Sequence, residues 1–369
     1  MGRSGPGRGQ PRGGSNLVGV FIIDSLPGVV APGAGAGGGV DRMAVGIIGA
    51  GWIAKEHYRI LGSLAGAEVV AVCDVDRERA EALAGGTGAR VYVDWQELLD
   101  REDLAALVVC TPPLSHRAPA IAALDRGLPV YLEKPIARTA EDAAAIVAAA
   151  ERTGTVCAIG YQWHALDLLD DLRRLLEGQQ IGLLVGTSIG PTQSRPWFLN
   201  RRAGGGNLLE RGSHHFDLAR VIGGDVTSVQ AGAGRVRLAR SADGDGDIDD
   251  AVTDLLTLAS GAIATVLVAW TRPGQPGTYG VDVVASESTL RLNLDPEFTL
   301  TGMAPSGQVA LRAASSPAER SMRRFLDAAR DRDPGGVVCT PPDAAATLAV
   351  AIAAERALDT AQAVTVEPI

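Results

Sequence analysis

The stretch AVGIIGAGWIA, residues 44–54, decides the fold that we predict for this chain. Its apolar first half is typical of a buried strand, and its glycines lie where that strand would turn into a helix. Gly49, Gly51 and Ala54 form the pattern GxGxxA. The first glycine allows a tight turn, the second lets a pyrophosphate approach the backbone, and the small alanine keeps the helix close to the sheet. The stretch therefore predicts a dinucleotide-binding turn, with phosphates at the N-terminus of the helix.

The residues after this turn indicate a parallel sheet. Four further apolar runs follow it: EVVAVCD (68–74), AALVVC (105–110), PVYLE (129–133) and TVCAIG (155–160). Helical stretches separate the strands, at residues 52–64, 77–85, 115–126 and 139–152. Such alternation is typical of a parallel sheet covered by helices on both faces. Asp74 ends the second strand, where a carboxylate binds ribose hydroxyls and repels a 2′-phosphate, which favours NAD. Arg77 and Arg79 leave NADP open.

Lysine is rare in this chain, so each lysine attracts attention. Lysine and arginine total 34, yet lysine occurs only at Lys55 and Lys134. Lys134 follows the buried run PVYLE and precedes a proline, at the edge where parallel sheets bind ligands. An ammonium is a compact charge that can exchange a proton, whereas a guanidinium stays protonated. We therefore predict that Lys134 faces the dinucleotide; the alternative is a surface lysine paired with Glu133.

The tetrapeptide CTPP occurs twice, and the two copies predict different things. At residues 110–113 it closes a buried strand, so Thr111 and Pro112 are expected at the same ligand-binding edge of the sheet. At residues 339–342 it precedes a long helical pattern. There Thr340 is expected to cap the helix, and we predict no further role for that copy.

A second dense patch is GGGNLLERGSHHFDLARVIGG, residues 204–224, which predicts a helix. Glu210, His214 and Asp217 are spaced i, i+4 and i+7 and would share one face. A carboxylate one turn from an imidazole can orient the ring and hold a proton. His215 would point about a quarter-turn away and is interpreted as a packing or surface residue. The alternative is that the three polar residues simply face solvent.

Five motifs, in their order along the chain, resemble those of a known family. They are GxGxxA, an acidic residue after the second strand, CTPPLSH (110–116), EKP (133–135) and GGG-x-L-x-x-x-G-x-H-x-x-D (204–217). From Met43 to the C-terminus the chain resembles the Gfo/Idh/MocA family, named for glucose–fructose oxidoreductase and inositol dehydrogenase. The resemblance implies an α/β Rossmann domain followed by an α+β domain with an open, mostly antiparallel sheet. It also implies a nicotinamide dinucleotide, a sugar-like or polyol substrate, and a homodimer or homotetramer formed through the open sheet.

The same resemblance implies roles for individual residues. Lys134 matches the active-site lysine and His214 the acid/base, while Glu210 stands where the motif usually has aspartate. Glutamate is longer by one methylene, and positioned catalytic groups tolerate displacement poorly, so position 210 is the main departure. The implied cofactor contacts are Gly49, Gly51, Trp52, Ile53, Asp74, Arg77, Thr111, Pro112, His116, Glu133 and Lys134. The expected substrate contacts are Lys134, Tyr161, Trp163, Arg195, Trp197, Glu210 and His214.

The residues themselves bear on two of these predicted substrate contacts. Many members of the family carry an arginine near Trp163 or His164, so the substrate contacts here are expected to differ. Trp197 is equally compatible with a core position.

Composition excludes several other classes of protein. A formal charge of −9 and a pI near 5.2 argue against a nucleic-acid partner, and no apolar run reaches the length of a membrane span. The four cysteines form no CxxC pair, which favours reduced thiols, a cytoplasmic location and no metal site. The acidic stretch DGDGDIDD (243–250) departs from the calcium-loop pattern and predicts a solvated loop.

We divide the chain into residues 1–42, a Rossmann domain at 43–160, and a second domain at 161–369. Residues 1–42 are rich in glycine, proline and arginine and cannot build a packed core. We interpret them as a disordered leader or an over-long reading frame whose natural start is Met43; the alternative is a secretion signal.

The sequence thus predicts an NAD-dependent oxidoreductase, with NADP possible, that transfers hydride between a secondary alcohol and nicotinamide. One alternative is redox-neutral chemistry, in which transient oxidation permits cleavage of a glycosidic bond or epimerisation. A second alternative is a non-catalytic NAD-binding regulatory protein.

Overall fold

The structure is a computed structural model that describes residues 42–86, 88–191, 196–235, 248–272 and 274–369. Three features from the sequence analysis lie outside the described residues: the predicted leader up to residue 41, the first part of the acidic stretch (243–247) and Arg195.

The first half of the described chain forms a sheet in which all neighbouring strands are parallel. Its strands are β1 (Met43–Ile48), β2 (Ala67–Cys73), β3 (Arg90–Tyr92), β4 (Ala106–Val109), β5 (Val130–Leu132) and β6 (Cys157–Ile159). The spatial order β3-β2-β1-β4-β5-β6 changes direction between β1 and β4. A doubly wound sheet has its ligand crevice at this switch point, beyond the carboxyl ends of the strands.

Helices connect these strands. They are α1 (Trp52–Ser63), α2 (Arg77–Ala84), α3 (Trp95–Arg101), α4 (Arg117–Asp125) and α5 (Ala140–Thr153). Strands β4, β5 and β6 are buried along their whole length, as a sheet covered on both faces requires. The predicted α/β fold is therefore confirmed.

The second half of the chain forms a larger sheet in which all pairs except β7 with β10 are antiparallel. Its strands are β7 (Ile181–Pro191), β8 (Val226–Gly234), β9 (Ala251–Leu258), β10 (Ile263–Thr271), β11 (Thr278–Ala285), β12 (Thr289–Asp295), β13 (Thr299–Ala304), β14 (Gly307–Arg312) and β15 (Val364–Thr365). The order is β14-β13-β12-β11-β7-β10-β9-β8-β15. Buried and exposed residues alternate along β9 and β10, so the sheet has one covered face and one open face.

The same half of the chain contains the helices α6 (Leu168–Leu175), α7 (Pro196–Leu199), α8 (Arg201–Gly204), α9 (Ser213–Gly223), α10 (Pro317–Asp331) and α11 (Pro341–Thr360). Helices α9 and α11 pack against the larger sheet, on β7 and β8 respectively. Helix α10 instead packs on the first sheet, where its buried Met322 and Phe325 lie with Ile47 and Tyr131. The C-terminal part of the chain therefore helps to cover the first sheet.

Two local predictions differ from the structure. The short pair β3 and α3 was not predicted, because three strand residues and a charged seven-residue helix carry too little hydrophobic periodicity. The patch at 204–224 is not one regular helix, because Leu208–Gly212 form a π-helix that leads into α9. The predicted start of α11 is confirmed: Thr340 and Asp343 form a capping box. Within the described ranges, no helix combines the length and apolar character needed to cross a bilayer.

Candidate active site

The turn between β1 and α1 has the shape that a phosphate group needs. Gly49 has a φ of +93°, and a Cβ on it would lie 2.7 Å from the carbonyl of Cys110, so only glycine fits. A Cβ on Gly51 would meet no atom within 4 Å, so this side of the turn is open. No side chain caps α1, whose first two residues are Trp52 and Ile53. The uncapped N-terminus fits the pyrophosphate of a dinucleotide.

Asp74 follows β2, and its carboxylate is held at the same turn. Its Oδ2 accepts a hydrogen bond from the backbone N–H of Ala50 (2.7 Å), and its Oδ1 accepts one from the N–H of Asp76 (2.9 Å). A carboxylate fixed beside this turn is placed for ribose hydroxyls. Arg77 is exposed and forms an ion pair with Glu81 of its own helix (3.7 Å).

Thr111 lies on the other side of the crevice, at the end of β4. A Cβ on Gly49 would lie 2.9 Å from its backbone nitrogen, so the two turns touch. The Thr111 hydroxyl is buried and has no hydrogen-bond partner among the residues that the structure describes. Pro112 follows and leads into a short 3-10 helix, Pro113–Ser115. Buried hydroxyls are nearly always paired, so a polar ligand in this crevice fits the Thr111 side chain.

Lys134 and Glu210 meet across the cleft between the two halves of the chain. The Lys134 ammonium donates a hydrogen bond to the backbone carbonyl of Glu210 (3.0 Å) and lies 2.8 Å from the carboxylate Oε1. Their side chains are only 11% and 14% exposed. Despite its extra methylene, the Glu210 carboxylate reaches the ammonium directly. The alternative of a surface lysine is wrong, because this side chain points into the cleft.

His214 lies in the first turn of α9, one helical turn beyond Glu210. Its ring lies 4.7 Å from the ring of Trp163, measured between centroids, and makes an edge contact with Tyr161 at 5.8 Å. Burial lowers the pKa of His214 well below 6.5, and the positive charge of Lys134 lowers it further. The imidazole is therefore neutral at pH 7 and able to accept a proton.

Two buried side chains, Glu133 and His116, hold the loops that carry the site. Glu133 is buried, and its Oε1 accepts a hydrogen bond from His57 Nε2 (2.6 Å) while Oε2 accepts one from the backbone N–H of Lys134 (3.0 Å). Burial opposes the charge of Glu133, but His57 and Lys134 outweigh it, so the pKa of Glu133 is lowered. This carboxylate therefore positions the backbone of Lys134.

His116 is fully buried, and its ring nitrogens face the backbone carbonyls of Pro135 (3.0 Å) and Thr111 (2.8 Å). It thus ties the loop after β4 to the loop after β5. Direct cofactor contact was predicted for both Glu133 and His116, and it stays a prediction. In the structure the polar atoms of both side chains are engaged within the protein.

The four other predicted substrate contacts differ in their surroundings. Trp163 is partly exposed beside His214, as a substrate contact requires. Tyr161 is fully buried, so it supports His214 and presents no ring face to a ligand. Trp197 packs against the small hydrophobic cluster formed by Phe198, Ile248 and Trp270, which favours the core alternative. Arg195 lies outside the described residues.

Asp217 does not join Glu210 and His214, contrary to the prediction. It is 1% exposed, its Oδ2 lies 2.8 Å from His164 Nε2, and its Oδ1 accepts a hydrogen bond from the Thr347 hydroxyl (3.0 Å). The π-helix at 208–212 is wider than an α-helix and changes the angular offset between Glu210 and the residues after it. Sequence reasoning missed the His164–Asp217 pair; the one signal was the histidine where the family often carries arginine.

His215 is buried against Gly186 of β7, which confirms the packing interpretation of that residue.

The fold and the site together define a nicotinamide-dependent oxidoreductase. The defining features are a doubly wound sheet with a glycine turn, a fixed acidic residue after β2, and a lysine and an imidazole at the carboxyl edge of the sheet. Comparison with known proteins agrees. Residues 43–161 match the family model described as "Oxidoreductase family, NAD-binding Rossmann fold", and residues 171–291 match "GFO/IDH/MocA C-terminal domain". The chain therefore belongs to the Gfo/Idh/MocA family of NAD-binding oxidoreductases.

Named relatives include D-apiose dehydrogenase of Paraburkholderia graminis, which is 31% identical over 265 residues, 69% of each chain. The scyllo-inositol 2-dehydrogenase (NAD+) of Bacillus subtilis is 28% identical over 243 residues, 65% of this chain and 69% of the relative. Among solved structures, levoglucosan dehydrogenase in complex with NADH and levoglucosan superposes with a TM-score of 0.79 at 20% identity. That superposition covers 89% of this chain and all of the other, and it shows a shared fold.

We expect Asp74→Ser to shift coenzyme preference from NAD toward NADP by about tenfold or more. The substitution removes a negative charge that would lie beside a 2′-phosphate, and such like-charge contacts cost several kcal/mol. The measurement is kcat/KM for NAD and for NADP with one substrate. Asp76→Ser, which changes the N-cap of α2 instead, is the matched control and should keep the wild-type preference. An unchanged ratio in Asp74→Ser would remove Asp74 from the ribose site.

Proposed function

We propose that this protein oxidises a secondary hydroxyl group of a sugar, polyol or sugar derivative, with NAD as hydride acceptor and Lys134, Glu210 and His214 at the reacting oxygen. The observation that carries the proposal is the meeting of Lys134 and Glu210 at 2.8 Å beside a neutral His214. This meeting lies at the carboxyl edge of the dinucleotide-binding sheet. The nicotinamide supplies the electron sink for the hydride.

Lys134 and Glu210 act together on the substrate oxygen. A buried ammonium donates a hydrogen bond to the hydroxyl and stabilises the negative charge that develops as the carbon–hydrogen bond breaks. The Glu210 carboxylate and carbonyl hold this ammonium at 2.8 and 3.0 Å, so it is oriented before the substrate arrives. Such preorganisation is effective because neither side chain is well exposed to water.

His214 takes the hydroxyl proton. Because burial and Lys134 lower its pKa, the imidazole is unprotonated at neutral pH and its ring is a competent base. Its Nδ1 is buried and unpaired within the described part of the chain. In the reverse direction, the imidazolium would return the proton to the carbonyl oxygen.

The side of the site formed by Trp163 fits a sugar-like ring. An aromatic face offers a flat apolar surface for the carbon–hydrogen face of a polyol, while Lys134 and His214 contact a hydroxyl on its edge. The relatives named for D-apiose and scyllo-inositol act on compounds of this class. They are dehydrogenases, so neither the redox-neutral nor the regulatory alternative is favoured.

The open face of the large sheet supports a homodimer or homotetramer. Leu255 of β9 and Ile263 of β10 lie on adjacent strands of this face, and Val284 lies on β11, on the other side of β7. Each is more than a third exposed. An apolar sheet face of this kind is suited to burial against a second copy.

We further propose a cytoplasmic location, supported by the four buried free cysteines. We also propose a division between residues 160 and 161, with α10 returning to cover the first sheet.

The function is tested by incubating the full-length protein with NAD and a panel of pentoses, inositols and glycosides. We expect NADH absorbance to rise with at least one polyhydroxylated compound, and the product mass to fall by two hydrogens. A glycoside cleaved without NADH formation would support redox-neutral chemistry instead. Tight NAD binding with no turnover across the panel would contradict the proposed function.

A further inference from the structure

Three side chains of the kinds that bind metal ions, His164, Asp217 and Cys339, converge from separate segments of the chain. His164 lies in the 3-10 helix Gln162–Ala165, Asp217 lies in α9, and Cys339 lies shortly before α11. One ring nitrogen, one carboxylate oxygen and the sulfur all lie within 4.8 Å of one another. Asp217 and Cys339 are 1% and 0% exposed, and the His164 side chain is 12% exposed. The group is therefore almost fully shielded from water.

His164 and Asp217 approach each other without being aligned for a hydrogen bond. The His164 Nε2 lies 2.8 Å from Asp217 Oδ2. A proton on that nitrogen would not point at this oxygen, and both atoms lack a hydrogen-bond partner among the residues that the structure describes. Two ligands of one ion point at the ion and hence past each other, whereas hydrogen-bonded atoms point along the line between them. The orientation of these two groups therefore fits a shared ion.

The other polar atoms of both side chains are held in the way that metal ligands usually are. The His164 Nδ1 lies 3.0 Å from the backbone carbonyl of Val338, to which it can donate its proton. Asp217 Oδ1 accepts a hydrogen bond from the Thr347 hydroxyl (3.0 Å). A histidine that binds a metal almost always donates its other N–H in this manner, and a ligating carboxylate is itself hydrogen-bonded. Each side chain is thus oriented and keeps one atom free for an ion.

Cys339 supplies the third ligand atom. It is fully buried, and within the described ranges its Sγ makes a long contact of 3.8 Å with the Thr340 carbonyl. This cysteine belongs to the second copy of CTPP, for which the sequence predicted only the start of a helix. The spacing of the cysteines could not indicate a site here, because its three ligands come from distant parts of the chain.

The set of ligand atoms selects the class of ion. Imidazole nitrogen, carboxylate oxygen and thiolate sulfur are the ligands of Zn²⁺, and a tetrahedral ion holds such atoms about 3.4 to 3.6 Å apart. The observed group is therefore close to the required spacing. A thiolate disfavours magnesium and calcium, which prefer oxygen ligands. A neutral imidazole, a carboxylate and a thiolate also balance the charge of a divalent cation, so the bound ion adds no net charge to the interior.

We propose that His164, Asp217 and Cys339 bind one zinc ion, with a water molecule in the fourth position. On binding, the Cys339 thiol releases its proton to solvent and the sulfur becomes a ligand. The partly exposed side chain of His164 gives the ion a route into the site. The proposal concerns a site separate from the reacting groups and does not depend on the proposed oxidation of an alcohol.

The ion would connect three elements around the candidate active site. Trp163 directly precedes His164, and His214 lies in the same helix as Asp217. A link between such distant segments restricts the unfolded chain and stabilises the folded one. Removal of the ion by a chelator should therefore lower the midpoint of thermal unfolding by several degrees, and zinc but not magnesium should restore it.

Metal analysis of the purified full-length protein tests the proposal directly. After dialysis against metal-free buffer we expect about one zinc ion per chain. Asp217→Asn and Cys339→Ser should each retain less than about a tenth of that amount, because each loses a charged ligand. The matched controls, Asp170→Asn on the exposed surface of α6 and Cys73→Ser on buried β2, should keep the wild-type content.

Cobalt(II) provides a readout that requires no variant. It occupies tetrahedral sites built from nitrogen, oxygen and sulfur ligands, and a bond between cobalt and a thiolate gives a charge-transfer absorption band. We expect this band when the chelator-treated wild-type protein is titrated with cobalt, with saturation at about one equivalent. The band should be absent from Cys339→Ser and present in Cys73→Ser. Binding of NADH, followed by fluorescence, establishes that each variant is folded.

Three results would overturn the proposal. The first is a wild-type protein that contains no zinc and gives no thiolate band with cobalt. The second is a zinc content that Asp217→Asn and Cys339→Ser leave unchanged, because the ion would then lie elsewhere. The third is bound cobalt without the thiolate band, because Cys339 would then not be a ligand. Absence of dehydrogenase activity would contradict the proposed function and leave the zinc site untouched.

Discussion

Lys134→Arg is expected to lower kcat by about 10²- to 10³-fold, the usual effect of losing one donor to a developing oxyanion. The substitution keeps the positive charge. However, the ammonium occupies a pocket in which it is 11% exposed and lies within 3.0 Å of both the carbonyl and the carboxylate of Glu210. A planar guanidinium is larger and would contact Glu210 in a different geometry, so its N–H groups would not reach the substrate oxygen in the same position. Initial rates of NADH formation measure the effect.

The chain provides a matched control for this substitution. Lys55 is its only other lysine, and it is exposed on α1. Lys55→Arg should therefore keep the wild-type rate. The affinity for NADH, followed by fluorescence, should change little in Lys134→Arg, because the proposed role is at the substrate oxygen. A wild-type rate in Lys134→Arg would show that a simple positive charge is sufficient there.

His214→Asn should reduce kcat by about 10²- to 10⁴-fold, the range typical of losing a general base. Asparagine keeps a polar side chain of similar reach but cannot accept the hydroxyl proton at neutral pH. The wild-type protein should also show where this base titrates. A base whose pKa is lowered stays unprotonated further into acid, so activity that depends on it persists at pH 6.5 and falls only well below that value.

The fall assigned to His214 lies on the acid side and should be absent from the residual activity of His214→Asn. If the acid fall persisted unchanged without His214, another group would have to be the base.

The nucleotide-binding half of the fold could be predicted from the sequence because its determinants are local. Gly49 lies in a turn where a Cβ would meet the Cys110 carbonyl, and that requirement is visible in a short motif. Buried parallel strands such as β1 and β5 are continuous apolar runs, so their position and approximate length are evident from composition alone. The position of Lys134 at the cleft could also be predicted from the sequence, because the end of a parallel strand has a known position relative to the crevice.

The rest of the site could not be predicted because it depends on contacts between distant segments. Tyr161 was expected at the substrate surface, yet it is fully buried and its ring packs edge-on against His214 of α9. Asp217 was expected on the face of Glu210, yet the π-helix at 208–212 alters the helical offset between Glu210 and α9 that the prediction assumed. The sequence around Asp217 and Tyr161 carries no local signal of the π-helix or of the burial of Tyr161.

By itself the sequence determined the strands, the phosphate-binding turn and the residue types able to move a proton or hold a charge. Those properties depend on backbone sterics, side-chain chemistry and hydrophobic periodicity, which act within a few residues. Only the tertiary structure decided that Glu210 holds Lys134 and that His164 pairs with Asp217. Each such pair brings together groups from separate elements, and its geometry and protonation are set by how those elements pack and exclude water.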